Sequence, residues 1–180
     1  MGLHHEDLDN ETRLFMIEEI EMDIRSDKVY RSSYLTQSGQ GDFPDLVLAA
    51  AKNGNDDSLA TSLSGKFNRT TQRRKPKGPG YYTAAVPVNA AEVLAESEFN
   101  RYFVRGLCRR AIKFDIGRLQ VYRAKAVAQP RLESESKIGL LVLPDVVLTD
   151  VRKSQEYGVE TALGIPPGPG SGISLRIPKA

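Results

Sequence analysis

Two adjacent histidines, His4 and His5, stand beside Glu6, Asp7 and Asp9, and these are the side-chain types that hold a transition metal. Neighbouring residues rarely aim at one ion, and the chain holds 2 histidines in all, so no third imidazole completes a site. Pro44-Asp45 together with Glu135-Ser136-Lys137 has the acid and Glu-x-Lys pieces of a metal-dependent nuclease, in which carboxylates hold Mg²⁺ and the lysine orients water. The two pieces lie far apart in sequence, and Asp45 falls at an expected helix start, where a cap explains it. Ser134-x-x-Lys137 matches a nucleophile motif but lacks the Ser-Asp-Asn and Lys-Thr-Gly elements that accompany it. Gly168-Pro169-Gly170-Ser171-Gly172 is not followed by Gly-Lys-Ser/Thr, and its prolines remove amide donors that a phosphate cradle needs. With both histidines in an N-terminal segment expected to be mobile, no Ser-His-Asp or Cys-His set can be argued. The expectation is a protein with no catalytic residue, no metal and no cofactor, and therefore not an enzyme.

Binding chemistry is better represented. Between Lys66 and Gly80 the segment KFNRTTQRRKPKGPG places Lys66, Arg69, Arg73, Arg74, Lys75 and Lys77 among Pro and Gly with almost no apolar residues. Such a segment cannot bury enough surface to fold alone, so it reads as a linker or exposed arm. Its Arg73, Arg74, Lys75 and Lys77 are the candidate contacts to nucleic acid or to an acidic partner, since clustered cations on a flexible backbone neutralise phosphates and release counterions. The balance of 25 basic and 23 acidic residues gives a net charge of +2, so any affinity for a polyanion must be local. A second seam, Arg101, Arg105 and Arg109, repeats every four residues along a helix and suits carboxylates of a neighbouring subunit.

The tail offers another kind of site. From Gly164 onward Pro and Gly forbid a helix, and the end ISLRI alternates Ile173, Leu175 and Ile177 as a strand does. An apolar strand on a stiff arm suits addition to the sheet of another molecule. Ile165, Pro166, Pro167, Ile173, Leu175, Arg176 and Ile177 are the expected partner-binding residues, with an edge strand on the chain's own domain as the alternative.

These groups need elements to carry them. Asp9 or Asn10 caps a helix to about Arg25, with Phe15, Met16, Ile20 and Ile24 inward and Glu18, Glu19 and Asp23 on the opposite side. Asp42 with Pro44 opens a short helix that stops at Gly54, and Asp56 starts another that ends at Gly65. YYTAAVP is a short strand closed by Pro87. Asn89 and Glu92 form a capping-box pattern and Val88 with Val93 a hydrophobic staple for a long helix. On it Phe99, Tyr102, Phe103, Gly106, Leu107, Ala111 and Phe114 share one face while Val104, Cys108 and Ile112 line a second, so neighbours are expected on both sides and the aromatics are core. RLQVYRAKAV reads as a strand, AQPRLESESK as a loop, and PDVVLTDVRKSQ as a helix burying Val147, Leu148 and Val151, with Gly158 after its end and a short turn VETAL beyond.

The predicted class is α+β and helix-rich, with a central long helix, a small β element and extended terminal arms. It is a single domain overall, divided as helices 1–65, basic linker 66–80, core 81–163 and C-terminal arm 164–180. One cysteine, Cys108, excludes an internal disulfide and fits a reducing compartment. The sequence has no signal-peptide pattern and no apolar run of about 20 residues to cross a bilayer, so a soluble, intracellular origin is expected.

The segments VPVNAAEVLAESEFNRYFVRGLCRRAI, LQVYRAKAVAQPRLESESKIG and ALGIPPGPGSGISLRIP resemble small head or neck proteins of tailed-phage and prophage virion clusters. The resemblance implies a head-to-tail adaptor or connector, with a minor capsid component as the near alternative. It further implies a virion location after synthesis in the host cytoplasm, a homo-oligomeric ring, portal or other neck and capsid proteins as partners, and contact with packaged DNA. It carries no catalytic residue. The alternatives from residue chemistry are a DNA-binding accessory protein using the basic segment and, third, a metal-dependent nuclease.

Overall fold

The computed structural model describes residues 2–157, 161–166, 168 and 170–179. The chain is α+β, with helices α1 (Asn10–Arg25), α2 (Gln37–Asn53), α3 (Asp56–Ser62), α4 (Ala90–Lys113), α5 (Leu132–Glu135) and α6 (Pro144–Tyr157). The strands are β1 (Thr70–Arg74), β2 (Tyr81–Ala85), β3 (Leu119–Arg123), β4 (Leu141–Val142) and β5 (Ile173–Arg176). Among the described residues no helix is long and apolar enough to cross a membrane.

Helix α4 is the axis of the fold. Its 24 residues bury Phe99, Tyr102, Phe103, Val104, Leu107, Cys108 and Ala111, and α1, α2, α3, α6 and β5 pack around it. Apolar side chains on more than one side of a helix require neighbours on more than one side, which is what α4 receives. Phe114 and Ile112, expected among the buried positions, sit about half exposed in the last turn at 53% and 50%. The helix start also departs from expectation: the Asn89 side chain makes no capping bond, and Val88 is fully exposed and forms no staple with Val93.

Helix α1 meets α4 at Gly106, where an added Cβ would lie 2.6 Å from Met16 Cγ and 2.8 Å from the Met16 nitrogen. Asp9 caps α1 by accepting from the Thr12 amide at 3.0 Å. Helix α2 begins two turns before the expected Pro44 start, because Thr36 caps it by accepting from the Gly39 amide at 3.0 Å. Pro44 then lies inside the helix and cannot donate to the Gln40 carbonyl. Arg31 Nε donates to that carbonyl at 3.1 Å, so the freed acceptor is satisfied from outside the helix. Asn55 and Ser58 form a reciprocal capping box on α3.

The strands form two antiparallel sheets. One is the hairpin β1-β2, the other has the order β4-β3-β5. The stretch expected as a loop between β3 and α6 contains the single turn of α5, and the apolar run before Pro144 supplies only the two residues of β4. The end of α6 after Tyr157 and the first residues of the expected turn VETAL lie outside the described residues.

Candidate docking hairpin and the buried ion network

The segment expected as an unstructured linker is half of a hairpin. Strand β1 pairs with β2 in the register Thr70↔Ala85, Thr71↔Ala84, Gln72↔Thr83, Arg73↔Tyr82 and Arg74↔Tyr81. The reversal Lys75–Gly80 uses positive φ at Gly78 and Gly80, +83° and +102°, which glycine adopts without a Cβ clash. TTQRR has no apolar alternation of its own; the strand exists because YYTAA supplies β-favouring partners. At the base, Leu35 bridges Phe67, the Asn68 amide donates to the Tyr34 carbonyl at 2.8 Å, and Asn68 Nδ2 donates to the Leu35 carbonyl at 3.0 Å. Lys66 is spent there on Asp42 at 2.8 Å.

Beyond the base the hairpin leaves the body of the molecule. Thr70, Gln72, Arg74, Thr83 and Ala85 are exposed on one face, with Tyr81 68% exposed beside them. The other face carries Thr71, Arg73 and Ala84, which are half-buried, and Tyr82. Arg73 donates to the Tyr34 hydroxyl at 3.4 Å, while Arg74, Lys75 and Lys77 are exposed. None of Arg69, Arg73, Arg74, Lys75 and Lys77 forms an ion pair among the described residues. No acid occurs between Asp57 and Glu92, so six of the chain's basic residues stand together without a counter-charge in their own segment, and the rest of the chain is net acidic.

The arginine seam of α4 has a different fate. Arg105 is 1% exposed and serves two acids of α1: Nε donates to Glu19 Oε2 at 2.7 Å, and Nη1 and Nη2 donate to the two oxygens of Asp23 at 2.6 and 3.0 Å. Arg109 adds Glu18 at 2.8 Å, Arg152 of α6 donates to Glu19 Oε2 at 3.0 Å, and the Tyr102 hydroxyl donates to Asp23 at 2.9 Å. Burial pushes the Glu19 carboxyl up, but the Arg152 and Arg105 guanidiniums outweigh it and hold the group below the ordinary range. Of the acids expected on the solvent side of α1, Glu19 and Asp23 are therefore buried against α4 while Glu18 stays exposed, and the seam expected to await a neighbouring subunit is consumed within the chain. Arg101 completes it, lying 3.4 Å from Glu98 and donating to Gln155 at 2.8 Å.

The tail is also used at home. Ile173 and Leu175 are fully buried in the core, and β5 pairs with β3 from Gln120↔Arg176 to Arg123↔Ile173. Asn100 of α4 holds the strand: its Nδ2 donates to the Ile173 carbonyl at 3.0 Å, and the Ser174 hydroxyl donates to its Oδ1 at 2.6 Å. Ile165 is buried, Pro166 and Ile177 are half-buried, and Arg176 donates to Gln120 at 3.0 Å and to Glu6 at 2.9 Å. Pro167 lies outside the described residues. In place of an arm offered to another molecule, the segment is the third strand of the chain's own sheet, because its alternating Ile and Leu find an apolar face on α4.

The N-terminal segment, expected to be mobile, is held as well. The His4 amide donates to the Ala124 carbonyl at 2.8 Å, the Ile177 amide donates to Asp7 at 2.8 Å, and His5 lies against Phe99 and Phe103 with Nε2 3.3 Å from Asn100 Oδ1. Burial pulls the His5 pKa down to about 4. Glu135 pairs with Arg123, Lys137 with Glu133, and Asp45 is exposed on α2, so the nuclease-like pieces do not converge. Among the described residues no group of three or more His, Cys, Asp or Glu could hold a metal ion.

A groove of about 390 Å³ runs between the start of α4 and the segment leading to β5, with Tyr30, Tyr34, Val93 and Glu98 in its wall. Burial pushes the Glu98 carboxyl up and Arg101 opposes it, so this acid is already occupied. No family model, no curated protein and no solved structure matches the chain. Among the described residues the hairpin carries a run of basic side chains that no ion pair satisfies. Arg74, Lys75 and Lys77 are the anticipated residues that remain exposed, with Arg73 half-buried beside Tyr34; Tyr81 and Tyr82 join them, and only the strand pairing reveals that they do.

Proposed function

We propose that the protein is a docking subunit of a tailed-phage particle, a head-to-tail adaptor that engages the portal or its neck neighbours through the β1-β2 hairpin, without a catalytic site. The observation that carries this reading is the projecting hairpin, whose cations form no ion pair among the described residues, while the arginine seam of α4 and the charges of the tail are paired within the chain. An isolated two-stranded hairpin is marginally stable in water, so an outside surface that covers it adds stability as well as contact. The resemblance of VPVNAAEVLAESEFNRYFVRGLCRRAI and ALGIPPGPGSGISLRIP to small virion proteins supplies the particle. The docking role passes from the tail to the hairpin, since the tail is buried in its own core.

Peptide mass spectrometry on density-purified particles tests this, with copy number measured against the major capsid protein. A count near that of a portal ring is the expected result. A count that scales with the capsid replaces the adaptor by a minor capsid component. Absence from the particles overturns the structural role and leaves a DNA-binding accessory protein that uses the same hairpin.

A further inference from the structure

The docking reading leaves open what the hairpin touches. We infer that the tip of the β1-β2 ribbon binds duplex DNA by its phosphate backbone, entering a groove with the exposed Arg74, Lys75 and Lys77 directed to its walls. This rests on the hairpin being the docking element, gives DNA in place of a neck protein as what it touches, and stands or falls on a separate measurement.

Residues directly opposite in an antiparallel ladder share a face, and successive residues alternate. The register therefore puts Arg74 with Tyr81 on one face and Arg73 with Tyr82 on the other, while Lys75 and Lys77 follow at the reversal. Positive charge is consequently exposed on the Arg74 face and at the reversal, while Arg73 on the other face is half-buried and donates to the Tyr34 hydroxyl. A flat acidic protein patch would meet the Arg74 face alone and leave the lysines of the reversal unmatched; a groove flanked by two phosphate strands meets both the face and the tip.

The dimensions agree. Strands in a ladder stand about 4.8 Å apart, and a two-stranded ribbon is one of the elements that the major groove, about 12 Å wide, admits. Five paired residues at about 3.4 Å each extend the ribbon about 17 Å, enough to carry the tip past the groove mouth. The tyrosine hydroxyls donate to phosphates as the arginines do. Nothing in the register selects a base sequence, so the binding is of the sequence-blind, counterion-releasing kind. The net acidity of the rest of the chain keeps other surfaces away from DNA and confines contact to the hairpin.

The test is fluorescence anisotropy of the purified full chain on a labelled duplex of about 20 base pairs, between roughly 50 and 200 mM salt. Two charge-matched variants are compared. One changes Arg73, Arg74, Lys75 and Lys77 to Gln; the other changes Lys52, Lys113, Arg118 and Lys153, which are exposed elsewhere, to Gln. Near-ultraviolet circular dichroism confirms that both keep the native core. Wild type and the control variant are expected to bind with a steep salt dependence, and the hairpin variant to lose about 3 to 4 units of log–log slope, close to one for each phosphate contact removed. Equal weakening of both variants, or tighter binding to a single strand than to the duplex, overturns the groove assignment. No binding by wild type at the lowest salt also overturns it. If the hairpin variant is then lost from particles that retain wild type, the adaptor reading survives with an acidic protein as the partner.

Discussion

Replacing Arg105 by Ala would strand Glu19 and Asp23, two carboxylates that are 0% and 4% exposed, without the guanidinium that serves both. Removing one partner of a buried pair costs about 3–5 kcal/mol, and urea unfolding is expected to report a loss of that size. Arg105→Lys should fall between, since an ammonium keeps the charge but cannot make the paired contact to Asp23. His5 provides a second test at the same scale. Its folded pKa of about 4 lies below the unfolded 6.5, so the unfolded state binds the proton more readily and the contribution to stability is present above pH 6.5 and lost as pH falls towards 4. The loss amounts to roughly 3 kcal/mol at 1.36 kcal/mol per unit. Burial raises the carboxyls of Asp56 and Glu98, which act with the opposite sign, so the comparison must be with His5→Leu, which keeps them. The difference in unfolding free energy between the two proteins is expected to shrink from pH 7 to pH 4; a constant difference would exclude the buried neutral imidazole. Neither arrangement was legible in the sequence. Glu19 and Asp23 occupy the polar side of an amphipathic pattern, and only the packing of α4 against α1 tells a solvated acid from a buried one.

At the scale of elements, local signals were legible where the physics is local. Asp9 before α1 and Pro144 at the start of α6 mark helix ends with residues that satisfy or omit the first amides, and Asp56 marked the start of α3, although the cap there is Asn55. The start of α2 was hidden because Pro44 resembles a first-turn proline, while the group that rescues its interior position, Arg31, lies upstream of the helix. β1 was hidden because its pairing comes from β2. The approach of α1 to α4 at Gly106 gives the element-scale prediction: Gly106→Ala places a methyl against Met16 backbone and forces the helices apart, for a cost of about 1–3 kcal/mol. The hairpin should behave oppositely. Replacing 70–85 by two glycines is expected to move the thermal midpoint by less than about 4 °C, the effect of roughly 1 kcal/mol in a chain of this size, because the excised strands pack on little but each other. A larger fall would make the hairpin part of the core and remove its claim to be a docking element.

For the whole molecule, the decisive feature is that both ends of the chain close on the same sheet. Glu6 pairs with Arg176 and Lys179, Asp7 accepts from the Ile177 amide, and β5 lies between β3 and the Asn100 clasp of α4. The alternation of Ile173, Leu175 and Ile177 announced a strand correctly, but alternation describes a face to be buried and says nothing of which molecule buries it. An arm and a core strand make opposite demands. If the tail were an arm, truncation after Gly164 would leave a folded monomer. Here truncation removes the fully buried apolar side chains Ile173 and Leu175, strips β3 of a partner and leaves the Asn100 amide without its acceptor, a combination of lost burial and unsatisfied polar groups that each cost on the order of 1–3 kcal/mol or more. Native stability of about 5–15 kcal/mol does not survive several such losses. The truncated chain is therefore expected to lose near-ultraviolet dichroism and dispersed amide resonances, and adding the peptide 165–180 in trans should restore them. Retention of a native spectrum without the peptide would return the tail to the role of an arm and reopen it as a docking element beside the hairpin.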